Sequence, residues 1–256
     1  MTRHINLTSI ILLIIGITLV FSGCGLVRKI NKPEEIRDIA YDVNKNHGYT
    51  VYLEENAKFV PYLVLTDDYN GNVLLLREHI LNEVMIFNPN DRYNGYYENC
   101  VIDKFLNEEF MNSFTPEVQK QIADSKIVIT AKSSLGSCGK ETTEIMRKIF
   151  LLSHTELGLT KDYSMAAVEG KALKYFPDPT SRIARLETGI AASWWLRTSF
   201  TEFDTTAWAV AFDAVTGGHC VEHTSGVRPA FCLDGKALIE TSDDVIKGET
   251  VYVLKL

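Results

Sequence analysis

The chain has 256 residues, of which 46% are hydrophobic and 23% are charged, and its formal net charge is −7. This composition is close to that of soluble globular proteins, so a packed core is expected and a wholly disordered chain is excluded. Nucleic acid is excluded as a partner, because affinity for it depends on clustered Lys and Arg, and this acidic chain has no such cluster.

Residues 1–23 have the form of a signal peptide. Arg3 supplies a positive charge near the start, and Ile10 to Phe21 is an apolar run of twelve residues broken only by Gly16 and Thr18. The run is too short to span a membrane comfortably, because a hydrocarbon core of about 30 Å needs about 20 apolar residues. A short apolar region of this kind is typical of an export signal.

The residues that follow, Phe21-Ser22-Gly23-Cys24-Gly25, resemble the lipobox of bacterial lipoproteins, although Phe21 stands where that pattern usually has leucine. The resemblance implies cleavage before Cys24 and lipidation of its thiol. The lipid would hold the rest of the chain at the cell membrane, on the extracytoplasmic side. The alternatives are a plain secretory signal that is cut nearby, or an uncleaved anchor with an incidental cysteine.

Residues 24–48 are predicted to form the lipidated N-terminus, a tether and one short amphipathic helix. Ile36, Ile39, Ala40 and Val43 follow the spacing of one helix face. Further along, Asn70-Gly71 lies between two apolar runs, and both residue types accept a positive φ. This dipeptide therefore predicts a β-hairpin.

Helices and strands are both predicted in the middle of the chain. Asn99 is a suitable N-cap for a helix whose apolar stripe extends to Phe114, and Thr115-Pro116-Glu117 has the pattern that begins a second helix. Strands are predicted at residues 126–130 and 149–152. Ser153-His154-Thr155-Glu156 has the form of a capping box, which predicts another short helix.

The C-terminal third is rich in predicted strands, at residues 194–197, 207–212, 218–222, 227–233 and 250–256. Helices lie mostly in the first two thirds and strands at both ends, which favours an α+β fold over a repeated βαβ unit. We therefore expect a single α+β domain over residues 49–256, with an antiparallel sheet and a few packed helices.

Four ordered motifs resemble a bacterial family of domains of unknown function, DUF6273. They are Tyr97-Glu98-Asn99-Cys100 with the helix after it, Phe150-Leu151-Leu152-Ser153, Ser193-Trp194-Trp195-Leu196-Arg197 and Gly226-Val227-Arg228-Pro229-Ala230. The resemblance covers about residues 49–235, and Cys100 stands where the family more often has serine or threonine. It implies a C-type-lectin-like fold. A shared fold does not by itself identify a function.

Two tryptophans and two arginines in these motifs are candidates either for ligand binding or for specifying the fold. Trp194 and Trp195 are adjacent, so in a strand their rings point to opposite faces and one could be a stacking platform. Packing in the core is the favoured interpretation, because large aromatic side chains dominate burial. For Arg197 and Arg228, pairing with carboxylates or carbonyls inside the domain is favoured over substrate binding.

No metal, cofactor or catalytic residue is predicted. The segment His219-Cys220-Val221-Glu222-His223 contains metal-ligand types, but in a strand its two histidines would lie about 13 Å apart. No cysteine stands beside a general base in a recognisable motif, and the chain has no GxSxG nucleophile elbow. Enzyme activity is therefore unsupported by any motif.

Cys220 and Cys232 are candidates for a disulfide. They are equally distant from Gly226, so a simple hairpin centred there would place them opposite each other on one face. An exported protein can meet an oxidising compartment. The alternative is that both are small packing residues with free thiols.

The sequence therefore leads to two hypotheses. The first is a lipid-anchored module at the cell envelope that binds a glycan, cell-wall or protein ligand, or has a structural role, without catalysis. The second is an envelope enzyme acting on peptidoglycan, glycan or protein substrates. A binding module requires a concave surface built by loops, whereas an enzyme requires a cleft with a titratable residue whose pKa is shifted.

Overall fold

The computed structural model describes residues 32–44, 49–89, 95–132, 138–159, 165–201, 203–246 and 249–256. Cys24 and the predicted signal peptide, residues 1–23, lie outside these ranges. The described core belongs to one compact unit, which runs from Pro33 to Leu256. Among the described residues, no helix has the length and apolar character needed to cross a membrane.

The fold is mostly β, with 44% strand and 13% helix. The strands are β1 (Thr50–Glu55), β2 (Lys58–Tyr69), β3 (Asn72–Arg77), β4 (Met85–Ile86), β5 (Ile122–Ala123), β6 (Ser125–Lys132), β7 (Cys138–Arg147), β8 (Ile149–Phe150), β9 (Ala184–Arg185), β10 (Ala191–Ala192), β11 (Trp194–Ser199), β12 (Thr206–Val210), β13 (Thr216–Cys220), β14 (Thr224–Ser225), β15 (Ala230–Leu233), β16 (Ile239–Ile246) and β17 (Glu249–Leu254). The helices are α1 (Val101–Glu108) and α2 (Pro116–Gln121), with short 3-10 helices at Ile36–Ile39, Phe110–Ser113 and Pro179–Arg182.

The expectation of an α+β, C-type-lectin-like domain is therefore wrong. The described residues contain only one helix of seven or more residues, α1, and the largest sheet is curled into a half-barrel. The sequence patterns identified apolar faces, but they overestimated how far helices extend and missed two long strands, β7 and β16.

The first predicted helix is short because its backbone bonds to distant segments of the chain instead, one of them strand β2. The Ile36 N–H donates to Ala237 O and the Tyr41 N–H donates to Val64 O, each at 2.9 Å. Helical hydrogen bonding stops after one turn, at Ile39, and Val43 is left 75% exposed. Tertiary pairing has overridden the local periodicity.

The predicted capping box forms, but the helix after it does not extend. The Glu156 N–H donates to Ser153 Oγ at 3.1 Å, and the Ser153 N–H donates to Glu156 Oε2 at 2.8 Å. The chain then makes only a turn, over residues 154–158. The Glu156 carboxylate is also the partner of a buried arginine, and this second bond fixes the turn in the core.

The half-barrel sheet has the strand order β16-β17-β1-β2-β3-β15-β5, and β8 also pairs with β15. All its pairs are antiparallel except β1 with β17. The predicted hairpin at Asn70-Gly71 is confirmed, because β2 and β3 pair up to Tyr69 and Asn72 and the two turn residues have φ values of 54° and 86°. The positions of α2 and of the predicted C-terminal strands are also confirmed, with shifted ends.

A three-stranded sheet, β11-β12-β13, carries the tryptophan motif, and β6 pairs with β7 in a two-stranded ribbon. The start of β11 lies beside Gly226, since the Trp195 N–H donates to Gly226 O at 3.0 Å and the Gly226 N–H donates to Ser193 O at 2.9 Å. A Cβ atom at position 226 would lie 2.8 Å from Ser193 O. Glycine is required there because the two motifs approach closely.

Candidate functional site

A groove lies between the β6–β7 ribbon on one side and α1 with the segment before it on the other. It consists of two adjoining clefts of about 160 Å³ and 390 Å³, which share Asn99. The first cleft is lined by Asn88, Tyr96, Glu98, Asn99, Ile129, Thr130, Lys132 and Thr143. The second is lined by Asn99, Asp103, Lys104, Asn107, Glu108, Asp124, Met146, Arg147 and Lys148. We call this surface the α1–ribbon groove.

The helical wall of the groove begins at Cys100. Its sulfur accepts a hydrogen bond from the Asp103 N–H at 3.3 Å, so Cys100 is the N-cap of α1. The expectation that Asn99 caps the helix is wrong, because Asn99 adopts a φ of 62° just before it. Burial raises the pKa of the Cys100 thiol to about 12, so the cap is a neutral thiol.

The two walls are joined by an ion pair at the floor of the groove. Arg147 donates from Nε and Nη2 to the Asp103 carboxylate, with distances of 2.8 to 3.0 Å. The same carboxylate accepts the Asn99 N–H at 2.9 Å. The hydrogen bonds to Asp103 raise the pKa of Arg147. This arrangement commits Asp103, the one buried carboxylate among the described lining residues, to Arg147.

Asn107 fixes the same wall one turn further along α1. Its side-chain Nδ2 donates to Ile149 O at 2.9 Å, and its Oδ1 accepts the Ile149 N–H at 3.1 Å. An asparagine that bonds both ways to one backbone position holds the helix in register with the strand. The groove is therefore preformed by side-chain bonds from α1 to Arg147 at the end of β7 and to Ile149 in β8.

The opposite wall is the β6–β7 ribbon, in which Ile129 pairs with Thr143. Thr143 is exposed, while Thr130 in the next position of β6 is buried. The Thr130 N–H and Oγ1 both donate to Glu169, at 2.7 Å and 2.6 Å. The polar core thus fixes the position of β6 from behind the groove.

Charges along the groove balance. The lining contains four acidic residues (Glu98, Asp103, Glu108 and Asp124) and four basic residues (Lys104, Lys132, Arg147 and Lys148). Three asparagines add amide groups, and the one aromatic lining residue, Tyr96, is only 7% exposed. A surface of this composition suits a polar ligand of little net charge more than a polyanion.

The tryptophan motif does not contribute to this groove. Trp194 and Trp195 are both completely buried. Their indole N–H groups donate to Arg182 O at 3.1 Å and to Met85 O at 2.9 Å. Opposite faces of β11 are therefore both covered, and neither ring is available as a stacking platform in this structure.

Arg197 lies in the centre of a buried polar network. Its guanidinium donates to both oxygens of Glu156 at 2.7 Å and to two backbone carbonyls, Val128 O and Leu151 O. Glu169 lies 3.7 Å from Arg197 Nε and accepts hydrogen bonds from Thr130 and Thr198. Burial raises the pKa of Glu169, although Arg197 and the hydroxyl donors oppose that shift.

Arg228 has carbonyl partners instead of a carboxylate. Its Nε donates to Arg77 O at 2.9 Å and its Nη2 to Glu78 O at 3.2 Å. The guanidinium lies 5.2 Å from the centroid of the Trp194 ring, in a cation–π arrangement. Burial lowers the pKa of Arg228 to about 10. The contact with Trp194 links the motif that contains Arg228 to the tryptophan motif.

The hairpin on which the predicted disulfide depends does not form. Cys220 pairs with Thr206 in the three-stranded sheet, whereas Cys232 pairs with Leu74 in the half-barrel. Both are free cysteines; Cys220 is exposed and Cys232 is buried. The reason is that Ser225 and Gly226 pair with Met85 and Trp194 instead of making a tight turn.

No group of three or more His, Cys, Asp or Glu residues in the described ranges could hold a metal ion. His219 lies in β13, with its ring 5.8 Å from that of Trp195, so it packs against the core. Burial lowers the pKa of His219, and the nearby His223 adds to that effect.

The groove residues could not be found from sequence reasoning. Asp103, Asn107 and Arg147 belong to ordinary amphipathic patterns, and their roles depend on tertiary contacts of α1 with β7 and β8. The capping-box spacing did identify Ser153 and Glu156, but nothing local pairs Glu156 with Arg197.

A family model described as "Domain of unknown function (DUF6273)" matches residues 70–235, more than half of the chain. The matched region begins later than the motifs suggested, and it includes the α1–ribbon groove, the buried tryptophans and both arginines. No curated protein and no solved structure matches the chain.

Proposed function

The chain belongs to the DUF6273 family of domains of unknown function, and from that premise we propose that it is a cell-envelope lipoprotein whose domain binds a polar, nearly uncharged ligand in the α1–ribbon groove. The ligand class that fits best is a glycan or a glycan-containing fragment of the cell wall. Lipidation of Cys24 would hold the domain on the extracytoplasmic side of the membrane.

The charge balance of the groove is the observation that carries this proposal. Hydroxyl-rich ligands are recognised by amides, which donate and accept hydrogen bonds, together with carboxylates, which accept them, and ammonium groups, which donate them. The groove offers all three types at positions such as Asn99, Glu98 and Lys132, which line the first cleft. A polyanionic ligand would require an excess of basic side chains, which the described lining does not have.

The hydrogen bonds of the groove's buried carboxylate, Asp103, favour binding over catalysis. Asp103 already accepts three hydrogen bonds from Arg147 and one from the Asn99 backbone. The acceptor sites of this carboxylate are therefore occupied by donors from the protein itself, which leaves it poorly placed to contact a ligand. We therefore assign Asp103 and Arg147 to shaping the groove.

Two experiments test the two halves of the proposal. Mass analysis of the native N-terminus should find an acylated Cys24, and Cys24→Ala should leave the precursor uncut or release the protein; unchanged processing and membrane retention would contradict the anchor. A calorimetric screen of residues 25–256 against neutral oligosaccharides, cell-wall fragments and anionic polymers should find binding among the first two classes. Binding confined to the anionic polymers would overturn the assignment of the ligand.

A further inference from the structure

The half-barrel sheet has a partly apolar outer face at the end where the chain enters the domain. Along β1 and β2 the buried side chains, among them Val51, Leu53 and Tyr62, alternate with more exposed ones. Because successive side chains of a strand point to opposite faces, Tyr52 lies on the face of the sheet that is turned away from this core.

Strand register groups the residues of that outer face into rows. Tyr52 pairs with Pro61 on one side and with Val253 on the other. One step along the same face, Glu54 pairs with Phe59, and the Lys255 N–H donates to Leu238 O at 2.9 Å in the continuation of β17. We call the apolar members of these two rows the outer patch: Tyr52, Phe59, Pro61, Leu238 and Val253.

Two members of the outer patch are unusually exposed. Phe59 keeps 65% of its surface accessible and Leu238 keeps 50%. They stand at the two sides of a four-strand row, about 14 Å apart at the usual spacing between strands. The row thus has an aromatic side chain at one end, an aliphatic one at the other, and a glutamate and a lysine between them. This composition suits the boundary between lipid headgroups and acyl chains.

The entry point of the chain adjoins this patch. Glu35 forms a bridge with Leu238, and the Ile239 N–H donates to Glu34 O at 2.9 Å. Only nine residue steps separate Pro33 from Cys24. A fully extended chain covers at most about 3.6 Å per residue, so a lipid on Cys24 would keep the entry point within about 32 Å of the bilayer.

We propose that the outer patch rests on the surface of the lipid bilayer and sets the orientation of the domain on the membrane. This inference depends on the proposed lipidation of Cys24, because the anchor supplies the attachment and the patch supplies only the orientation. The row has one lysine and one glutamate between its apolar ends, so the contact should not require anionic lipids.

The test uses the full lipidated chain in vesicles of zwitterionic phosphatidylcholine with brominated acyl chains, which quench nearby tryptophan. Phe59→Trp places a reporter in the outer patch. Phe212→Trp is the matched control, since Phe212 is also a phenylalanine and is 61% exposed, but it follows β12 in the other sheet. The parent chain gives the background from its three native tryptophans, all buried.

Quenching of the Phe59→Trp reporter should exceed that of the Phe212→Trp reporter at least twofold, and Leu238→Trp should behave like Phe59→Trp. Equal quenching of patch and control reporters, or quenching of neither, would overturn the proposal while leaving the anchor intact. A cross-linked dimer with an unquenched patch would show that a second copy covers this face, which also overturns it. Failure of the chain to sediment with vesicles would instead refute the lipid anchor.

Discussion

The guanidinium of Arg197 and the carboxylate of Glu156 form a bidentate ion pair with two bonds of 2.7 Å, and both side chains are fully buried. Arg197 comes from the tryptophan motif in β11, and Glu156 from the turn after β8. The pair therefore joins the tryptophan motif to the turn that follows the Phe150–Ser153 motif across the core. Burial alone would lower the pKa of Arg197, but Glu156, Tyr69 and Glu169 together raise it, so the arginine stays charged.

Arg197→Met should destabilise the protein by about 3 to 5 kcal/mol, because it leaves Glu156 as an uncompensated buried charge. The matched control is Lys126→Met, which breaks an ion pair with Glu144 whose side chains are 51% and 57% exposed. That change should cost less than about 1 kcal/mol. Urea unfolding measures both. Equal stability of the Arg197 variant and the parent would contradict the structural role.

Trp194→Ala and Trp195→Ala should each lower the free energy of unfolding by about 3 to 5 kcal/mol, since each removes a fully buried ring. Phe212→Ala is the control for losing an exposed aromatic ring and should change stability by less than about 0.5 kcal/mol. If both tryptophan variants melted like the parent and lost ligand binding, the rings would be a binding platform instead of core.

The stability of the protein should fall between pH 6.5 and pH 4 because of His154. Burial lowers the pKa of His154 from 6.5 to about 4, with Arg182 adding to the effect. The unfolded chain therefore takes up the proton first as the pH falls, and at most about 3 kcal/mol is lost across this interval. Above pH 6.5 the contribution is complete.

His154→Gln should remove this part of the pH dependence, measured by urea unfolding at several pH values. Glu169 acts in the opposite direction, because its raised pKa favours the protonated folded state at low pH. The variant leaves that contribution in place, so the difference between parent and variant isolates His154. An identical pH slope in both proteins would contradict a buried, neutral histidine.

Thiol labelling of the folded protein should modify Cys220 well before Cys100 or Cys232. Cys220 is exposed, whereas burial raises the pKa of each of the other two thiols to about 12. Peptide mapping after a short reaction with iodoacetamide identifies the labelled sites, and urea should then expose Cys100 and Cys232 to the reagent. A peptide pair joining Cys220 to Cys232 in unreduced protein would show that the disulfide forms after all.

The local parts of the fold could be predicted from sequence, because short-range chemistry determines them. The Asn70-Gly71 turn needs two positive φ values, and Thr115-Pro116 begins α2 through a side-chain cap. The fold class, which is mostly β, could not be predicted in this way. Residues 36–43 have a helical pattern, but the backbone N–H groups of Ile36 and Tyr41 bond to Ala237 and Val64, which no local pattern encodes.

The α1–ribbon groove could not be predicted from local sequence patterns either, because long-range contacts form it. Its walls are held together by Asp103 with Arg147 and by Asn107 with Ile149, pairs that are more than 40 positions apart. The motifs singled out the most buried side chains in the domain, Trp194, Trp195 and Arg197, which specify the fold. The residues that line the groove are mostly small or charged surface types without a distinctive spacing.

The most direct test of the central claim is to block the α1–ribbon groove and measure ligand affinity. Thr143→Tyr fills the first cleft from β7, and Thr142→Tyr adds the same ring to the neighbouring exposed residue, which points to the opposite face. Tyrosine is favourable in strands, so both variants should fold. For a glycan or cell-wall fragment found in the binding screen, calorimetry should show at least a tenfold loss of affinity for Thr143→Tyr and less than a twofold change for Thr142→Tyr. Unchanged affinity in Thr143→Tyr, or an equal loss in both variants, would contradict binding in the groove.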